Sequence, residues 1–552
     1  MSDPDAIVIG AGPNGLVAAN YLADEGWDVL VLEAQATPGG AVKSGPLTGN
    51  PAFVHDLFSA FYPFAVASPA ITALRLEEHG LRWRCAPLAV AHPMLDGRCA
   101  VLSDKLEETV ASLESFAEGD GEAWRGMYRV WEEVGEDLVR ILLGSFPPAA
   151  AAARLAARLG PSRLLRQTRF WTLPIRRMCE ESFKSQEAGL LLAGNALHAD
   201  IPPEVPGSGF LGLLLCSLGQ QFNFPVPEGG AGNLSGSMVR RLEARGGRVV
   251  CNARAHRVDI RKGRAVGVTT ADGTRHRARR AVLADVAAPA LYLSLVGESH
   301  LPAQLLDDLH HFQFDNGTVK VDWALDGPIP WRAEQAKRAG TVHVADGMDH
   351  LTESSAQLAM GKIPGQPYLV LGQMNVADPT RSPKGTETVW AYTHVPQQIR
   401  GDCGGDITGK WDDNETQQYL ERVENEVEKH APGFRDRITG TFVRTPPMFE
   451  QANENLVNGA LGGGTAQLHQ QVVFRPTPGM AGARTPVKGL YLASASAHPG
   501  GGVHGAPGAN AAKTALRDHM VKRLAPYGAA GVGGAAVSRL WLRTRGPGRS
   551  PG

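Results

Sequence analysis

The chain begins with a run of apolar residues that predicts a buried strand. Residues 7–9 are Ile, Val and Ile, β-branched and without polar alternation, which is typical of a parallel-sheet strand covered on both faces. The pattern then predicts a helix over residues 14–24 and a second strand over residues 28–32. Strand, helix and strand in this order indicate a βαβ unit and an α/β fold.

Two distant segments continue this alternation of elements. The chain from residue 224 predicts a helix and four strands, at residues 233–245, 248–251, 257–261, 265–270 and 279–286. "DGT" at 272–274 is typical of a hairpin turn. Near the end of the chain, residues 489–493 predict a strand and residues 509–521 a helix. We expect these elements to join the first unit in one discontinuous domain.

The remaining chain is expected to form a separate α+β substrate lobe. Residues 318–327 alternate between apolar and polar, which predicts a half-exposed strand, and residues 367–376 predict another. The apolar stretch 207–224 predicts a core helix, with the wall of a hydrophobic substrate tunnel as the alternative. The division of the chain is therefore a nucleotide domain at 1–65, 224–295 and 456–525, a substrate lobe at 66–223 and 296–455, and a disordered tail at 526–552.

The composition argues against several kinds of binding partner and cysteine site. A chain of 552 residues is long enough for two structural units, and its formal net charge of −1 gives no reason to expect a nucleic acid. The six cysteines are scattered without a CxxC pair, so neither a dithiol centre, nor a metal site, nor a disulfide framework is expected. Composition does not indicate an oligomeric state.

The location of the protein is predicted to be cytoplasmic. The start of the chain lacks a basic region before an apolar core, and no apolar run is long enough to span a membrane. The tail carries Arg539, Arg543 and Arg545 around Trp541, which leaves a peripheral membrane contact as an alternative to simple disorder.

The first glycine cluster predicts a dinucleotide site. Gly10, Gly12 and Gly15 form GxGxxG between the first strand and the first helix: they permit the tight turn, the approach of backbone to a pyrophosphate and the packing of helix on strand. Glu33, at the end of the second strand, is placed to bind an adenosine ribose and disfavours a 2′-phosphate. A second pair, Gly39 and Gly40, fits a flavin protein, although an ordinary Pro-Gly turn is the alternative.

A further cluster, "AHPGGGVHGAPGANAA" at 497–512, follows the last predicted strand. If that strand joins the sheet, the N-terminus of the last helix is directed at the same cofactor, where its dipole favours negative charge. A third glycine group at 229–232 has no buried strand before it, so we interpret it as a turn near the cofactor. We therefore expect one bound dinucleotide.

Three segments together resemble one family. "IVIGAGPNGLVAANYLADEGWDVLVLEAQATPGGAV", "FPVPEGGAGNLSGSM" and "GLYLASASAHPGGGVHGAPGANAAK" resemble the phytoene desaturase-like FAD oxidoreductases, which include carotenoid desaturases, carotenoid isomerases and retinol saturases. "GPNGLVAA", "GGAV" and "AHPGGGVHGA" are most similar to the branch of pyridine nucleotide-disulfide oxidoreductase domain-containing protein 2. The resemblance implies a two-dinucleotide-binding-domain flavoprotein with non-covalent FAD.

The resemblance also implies which residues bind FAD. The pyrophosphate and ribose would be held by the first cluster and Glu33, the flavin would lie near the second pair, and the adenine would meet backbone at Ala255. The full implied set is Gly10, Ala11, Gly12, Pro13, Asn14, Gly15, Glu33, Gly39, Gly40, Ala41, Ala255, Ser496, Gly500, Gly501, Gly502 and Val503. Ala41 stands where desaturases carry an arginine, which argues against phytoene desaturation itself; Lys43 is a candidate for the missing charge.

His498 and His504 are the candidate catalytic residues, because they are the titratable groups of the last cluster. The alternative for each is a hydrogen bond that holds a turn. His55 and Asp56 are weaker candidates for the same chemistry. His469 and Arg475 are expected to border the substrate lobe; for Arg475 a structural ion pair is favoured over pairing with an acidic substrate.

Three hypotheses about function remain. The leading one is FAD-dependent desaturation, saturation or isomerisation of C–C bonds in a small apolar substrate of isoprenoid or lipid type, with oxygen or a quinone as electron acceptor. The second is an amine oxidase, although "AHPGGGVHG" lacks the aromatic residue usual beside that flavin. The third is a non-catalytic protein that uses FAD for stability or regulation.

Overall fold

The part that is predicted to bind a nucleotide is built on a parallel sheet whose strands come from three distant parts of the chain. The computed structural model describes residues 3–528, with side chains through residue 521. The five strands lie in the order Leu490–Leu492, Ala281–Ala284, Ala6–Ile9, Val29–Leu32 and Arg248–Val250. All five strands fall inside the segments predicted for this domain.

Both faces of the parallel sheet are covered, which explains its uninterrupted apolar strands. One face packs against three helices, Pro13–Asp24, Gly232–Ala244 and Ala506–Gly528. The other face packs against a three-stranded antiparallel sheet, a π-helical turn and a helix, namely Ala255–Arg261, Arg264–Thr270, Arg275–Arg277, Ala290–Val296 and Ala303–His310.

A second, mixed sheet of seven strands forms the other lobe, for which substrate binding is predicted and which is called the substrate lobe below. In sheet order its strands are Ile438–Arg444, Gly317–Leu325, Glu387–Val395, Leu369–Gln373, Ala339–Val344, Leu88–Pro93 and Cys99–Leu102. Tyr419, Val423 and Val427 of the helix Asp413–His430 bury one face. The other face is directed towards a layer of helices: Leu106–Glu114, Asp120–Leu143, Ala149–Thr172, Ile175–Ser182, Gln186–Leu197 and Ser208–Phe222.

Short elements complete the description. The remaining α-helices are Pro63–Ala67, Pro69–Thr72, Met348–Ala359, Met374–Ala377 and Pro446–Ala452. Two-residue strands pair as Ser44–Gly45 with His55–Asp56, Trp83–Arg84 with Val226–Pro227, and Lys362–Ile363 with Gly401–Asp402. Single 3₁₀ turns occur at Leu76–His79, Glu298–His300, Glu334–Arg338, Arg435–Arg437, Val457–Gly459, Leu468–Gln470 and Val472–Phe474.

The structure confirms the predicted fold class, an α/β nucleotide-binding unit with a separate α+β lobe; the exact domain limits stay predictions. One strand differs from its prediction. Residues 318–327 were expected to be half-exposed, but every residue of Gly317–Leu325 is buried. The alternation is real, yet Thr318 and Lys320 line an internal cavity and Asp322 binds Lys320, so none of these polar side chains meets solvent. The helix Ser208–Phe222 fits both of its interpretations, because it is largely buried while Phe210, Leu211 and Leu215 line that cavity.

Two further predictions concern membrane-spanning helices and the end of the chain. Among residues 3–528, no helix is both long and apolar enough to cross a bilayer. The last helix was predicted to end at residue 521 and continues to Gly528. The rest of the predicted disordered tail, with Arg539 and Trp541, lies outside the described residues.

Candidate active site

A cavity of about 1240 Å³ lies between the two sheets. At one end it is bounded by residues that come one or two positions after parallel strands: Gly10, Glu33, Asp285 and Ser494. This is the edge of an open α/β sheet at which ligands bind, because the carboxyl ends of parallel strands meet there. The other end of the cavity lies among the helices and strands of the substrate lobe.

The first glycine loop leaves no room for side chains. A Cβ at Gly12 would lie 2.7 Å from Asp285 Oδ2, and a Cβ at Gly40 would lie 2.8 Å from the Gly12 Cα. The loop leads into the helix Pro13–Asp24, with proline at its first position, where no amide hydrogen bond is lost. Because Gly12, Pro13 and Asn14 line the cavity, the positive end of this helix is available to phosphate groups.

Glu33 ties the second strand to this loop. Its carboxylate accepts hydrogen bonds from the Ala11 amide at 2.7 Å and from the Gln35 amide at 2.9 Å, and the residue lines the cavity. Ala255 also lines the cavity. Lys43, another wall residue, donates its Nζ to the Thr37 carbonyl, and burial lowers its pKa.

The structure brings most of the predicted cofactor residues to one surface. Ser496, from the last cluster, accepts from the Ala288 amide at 3.0 Å and donates to the Gly463 carbonyl at 2.7 Å. The predicted residues that line the cavity are Gly10, Gly12, Pro13, Asn14, Glu33, Gly40, Ala41, Ala255, Ser496, Gly501, Gly502 and Val503. The other predicted cofactor residues do not line it: Ala11, Gly15, Gly39 and Gly500.

The two candidate catalytic histidines have different surroundings. His498 lines the cavity, and both of its buried ring nitrogens lack a hydrogen-bond partner. Burial, together with the charge of Arg475, lowers its pKa to about 4, so the ring is neutral at neutral pH. His504 does not line the cavity: Nε2 faces the Gly501 carbonyl and Nδ1 accepts from the Ala506 amide. A catalytic role stays a prediction for His498, whereas the geometry of His504 favours a structural one.

Arg475 has a different role from either one expected of it. Its guanidinium is fully buried and donates to the carbonyl oxygens of Ala495, Thr465, Gly462 and Gly464 at 2.7 to 3.2 Å. In the described part of the chain no carboxylate lies within ion-pair distance of it. The structural ion pair is therefore wrong: the side chain is a clamp between two backbone segments. His469 lies outside the cavity wall and contacts Gln313.

His55 and Asp56 lie beneath the cavity rather than in it. Asp56 forms a fully buried ion pair with Arg381 at 2.7 Å, and His55 lies 3.4 Å from Asp322. Asp322 in turn binds Nζ of Lys320 at 2.5 Å, and Lys320 lines the cavity. Burial lowers the pKa of Lys320, and the charge of Asp322 opposes this. The weaker candidates thus support the cavity floor.

Sequence reasoning missed Asp285. Its Oδ2 accepts a hydrogen bond from the Gly15 amide at 2.8 Å, inside the predicted phosphate-binding loop. Burial raises the pKa of this carboxyl to about 7, and the nearby Glu33 adds to the shift. The available signal was an acid directly after the strand Ala281–Ala284, which neighbours the first strand in the sheet.

The far end of the cavity combines an apolar wall with a few polar groups. Its apolar wall comes from the helices and contains Leu138, Ile141, Leu142, Leu155, Trp171, Phe210, Leu211 and Leu215. Polar side chains from strands and loops face it: His198, Asp200, Asp315, Thr318, Lys320 and His394. A smaller chamber of about 320 Å³ shares Leu138, Trp171 and Phe210 with it. Sequence reasoning assigned no role to these polar residues.

Comparison with known proteins agrees with this architecture. Residues 8–74 match the family described as NAD(P)-binding Rossmann-like domain. The chain is 30% identical to pyridine nucleotide-disulfide oxidoreductase domain-containing protein 2 of Mus musculus, with 93% of both chains covered. It is 23% identical to one of the subunits of limonene dehydrogenase from Castellaniella defragrans, covering 93% of this chain and 94% of that protein.

Two more similarities extend the comparison. Phytoene desaturase (neurosporene-forming) of Cereibacter sphaeroides is 23% identical over 92% of this chain and 93% of its own length. A solved structure of a putrescine oxidase double mutant has a TM-score of 0.60 at 17% identity, covering 93% of this chain and 99% of that one, which shows a shared fold. The chain carries a dinucleotide-binding domain, and it belongs to the phytoene desaturase-like oxidoreductases, the family that includes pyridine nucleotide-disulfide oxidoreductase domain-containing protein 2.

Proposed function

We propose that this protein is an FAD-dependent oxidoreductase that desaturates, saturates or isomerises a C–C bond of an apolar, isoprenoid or lipid-like substrate. One observation carries the proposal: a single cavity joins the dinucleotide loop to an apolar chamber in the other lobe. Burial in that chamber stabilises an apolar molecule in proportion to its area, about 25 cal/mol per Å². Limonene and phytoene, the hydrocarbons in the names of two relatives, support the same substrate class.

The residues at the sheet edge fit FAD. The N-terminus of the helix Pro13–Asp24 would hold the pyrophosphate, Glu33 the adenosine ribose, and the backbone of Gly40 and of residues 501–503 the flavin. When bound, FAD supplies a hydride acceptor or donor next to the substrate carbon. The protein orients the substrate and excludes water, and neutral His498 can take up or return a proton.

An absorbance spectrum of the purified protein tests the cofactor, and anaerobic mixing with isoprenoid substrates tests the reaction. We expect twin flavin bands that are released on denaturation, and bleaching of those bands by an apolar substrate. A colourless protein that FAD does not reconstitute would overturn the proposal. A flavoprotein bleached only by amines would replace it with amine oxidation.

Gly12→Ala is expected to weaken FAD binding by about tenfold or more, because the new methyl group would meet the Asp285 carboxylate 2.7 Å away inside the loop. Gly126→Ala is the matched control, since a Cβ there meets nothing within 4 Å on an exposed helix face. FAD titration followed by flavin fluorescence measures both. Equal dissociation constants for the two variants would show that the loop does not bind the cofactor.

FAD binding is also expected to depend on the protonation of Asp285. Since the pKa of this carboxyl is about 7, acidification from about pH 8 to about pH 6 neutralises it and removes repulsion of the phosphates. We expect affinity to rise about tenfold over that interval. Asp285→Asn keeps an acceptor for the Gly15 amide and should abolish the pH dependence. A variant with the wild-type pH profile would assign the dependence to another group.

A further inference from the structure

Three buried side chains of the seven-stranded sheet line the cavity and lack a hydrogen-bond partner: Thr318, Thr341 and His394. His394 and Thr318 lie directly opposite each other on neighbouring antiparallel strands, and both line the cavity. His394 is 7% exposed and Thr318 is fully buried. Neither ring nitrogen of His394 has a hydrogen-bond partner, and neither does Oγ1 of Thr318.

The missing hydrogen bonds of this pair destabilise the folded protein unless a bound ligand supplies them. A buried polar group without a partner destabilises a folded protein, and nearly all buried polar groups are paired for that reason. A histidine and a threonine side by side can both donate and accept hydrogen bonds. A hydroxyl or a carbonyl oxygen of a bound molecule would therefore satisfy both at once.

The charges at this end of the cavity favour an uncharged group. Asp200 already accepts from the amide and side chain of Asn316, and Asp315 accepts from the amides of Leu461 and Gly462. Nε2 of His198 is bonded to His343 at 2.8 Å, and burial lowers the pKa of His198 to about 3, so its ring is neutral. Lys320 is held by Asp322. At this end of the described wall the lysine is therefore paired with a carboxylate, and the carboxylates have hydrogen-bond partners.

We propose that the substrate is an apolar molecule with one uncharged oxygen function, a hydroxyl or a carbonyl, and that His394 and Thr318 bind this oxygen. The inference deepens the proposed function, on which it rests for the identity of the cavity as a substrate site. The apolar helical wall, with Trp171, Phe210 and Leu211, would surround the hydrocarbon part, while the strand pair fixes the oxygenated end.

Five C15 isoprenoid probes with different end groups test the proposal: farnesene, farnesol, farnesal, farnesoate and farnesylamine. Binding to the full chain is followed by tryptophan fluorescence, since Trp171 and Trp390 line the cavity. We expect farnesol or farnesal to bind about tenfold more tightly than farnesene, farnesoate or farnesylamine. Equal affinity for farnesene and both oxygenated neutral probes, tighter binding of a charged probe, or no binding at all would overturn it.

Two variants identify the residues responsible. Thr318→Val and His394→Phe should remove the preference for farnesol over farnesene, while the melting temperature stays unchanged or rises, because each removes an unpaired buried polar group. His300→Phe, at an exposed turn, is the matched control. A lower melting temperature with the preference retained would assign both side chains a structural role and overturn the proposal.

The assay separates this inference from the proposed function. Probe binding needs neither flavin nor turnover, so a colourless protein that still prefers farnesol through His394 would overturn only the proposed reaction. A flavin-containing enzyme that is bleached by farnesene and ignores the His394 substitution would overturn only the oxygen site.

Discussion

Arg475→Met is expected to destabilise the protein by about 4 kcal/mol and to abolish the cofactor site. The variant leaves the carbonyl oxygens of Gly462, Thr465 and Ala495 without their donor in a buried position. Each unpaired acceptor costs about 1–3 kcal/mol, which outweighs the relief of removing a buried charge. The segment 494–503 would then lose its attachment beside His498.

Denaturant unfolding and FAD titration measure this effect. Arg484→Met is the matched control: Arg484 forms an exposed ion pair with Asp518, and such pairs contribute about 0–1 kcal/mol. Arg475→Lys should lie between the two, because one ammonium keeps the charge but cannot reach all the carbonyls. A loss below about 1 kcal/mol in Arg475→Met, within the range of the control, would show that the glycine segments hold their positions without the clamp.

The nucleotide-binding part could be predicted because the features that identify it lie within short, contiguous stretches of sequence. Near residue 10 the sequence places an apolar run, a glycine turn and the start of a helix directly after one another. Together these features indicate a strand–turn–helix unit. The acid Glu33 follows its strand directly and therefore lies at the same sheet edge as Gly10 and Gly12. Assembly of the distant segments was expected from their continued pattern of helices and strands and from the resemblance of all three segments to one family.

The substrate end was not predictable in the same way. Polar alternation in residues 318–325 has the same form whether the polar face meets solvent or the interior. The burial of Asp322 involves His55, from a distant part of the chain, and Lys320 lies over the ring of Trp390 on the neighbouring strand. Arg475 gave no local signal either, because its partners are backbone carbonyls. Tertiary packing determines both the burial of this strand and the contacts of Arg475.

Acidification is expected to unfold the protein steeply between about pH 6.5 and pH 4.5. Five buried histidines have pKa values of about 3 to 4 in the folded state, lowered chiefly by burial, against an ordinary value near 6.5: His92, His198, His430, His498 and His504. The stability that each contributes is complete above about pH 6.5 and is lost as the pH falls towards the folded pKa.

Two buried carboxyls act in the opposite direction. Burial raises the pKa of Asp285 to about 7 and that of Glu387 to about 8, so both are protonated only in the folded state over this interval and gain stability on acidification. Burial also lowers the pKa of His343 and raises that of Asp315, and these two groups change the proton count in opposite directions. Five protons taken up and two released by the other groups on unfolding leave a net uptake of about three. The free energy of unfolding should therefore fall by about 4 kcal/mol for each pH unit.

Calorimetric unfolding in buffers of different ionisation enthalpy counts these protons directly. His92→Gln should lower the uptake by about one proton, because it replaces a buried ring with a group that does not titrate. His300→Gln, at an exposed position, should leave it unchanged. Release of protons on unfolding at about pH 5.5 would mean that the raised carboxyls dominate and that the histidines titrate normally in the folded chain. If His92→Gln leaves the proton uptake unchanged, the titrating groups lie elsewhere. If each histidine substitution lowers the uptake by one proton, the acid sensitivity comes from the buried histidine rings, which include His498.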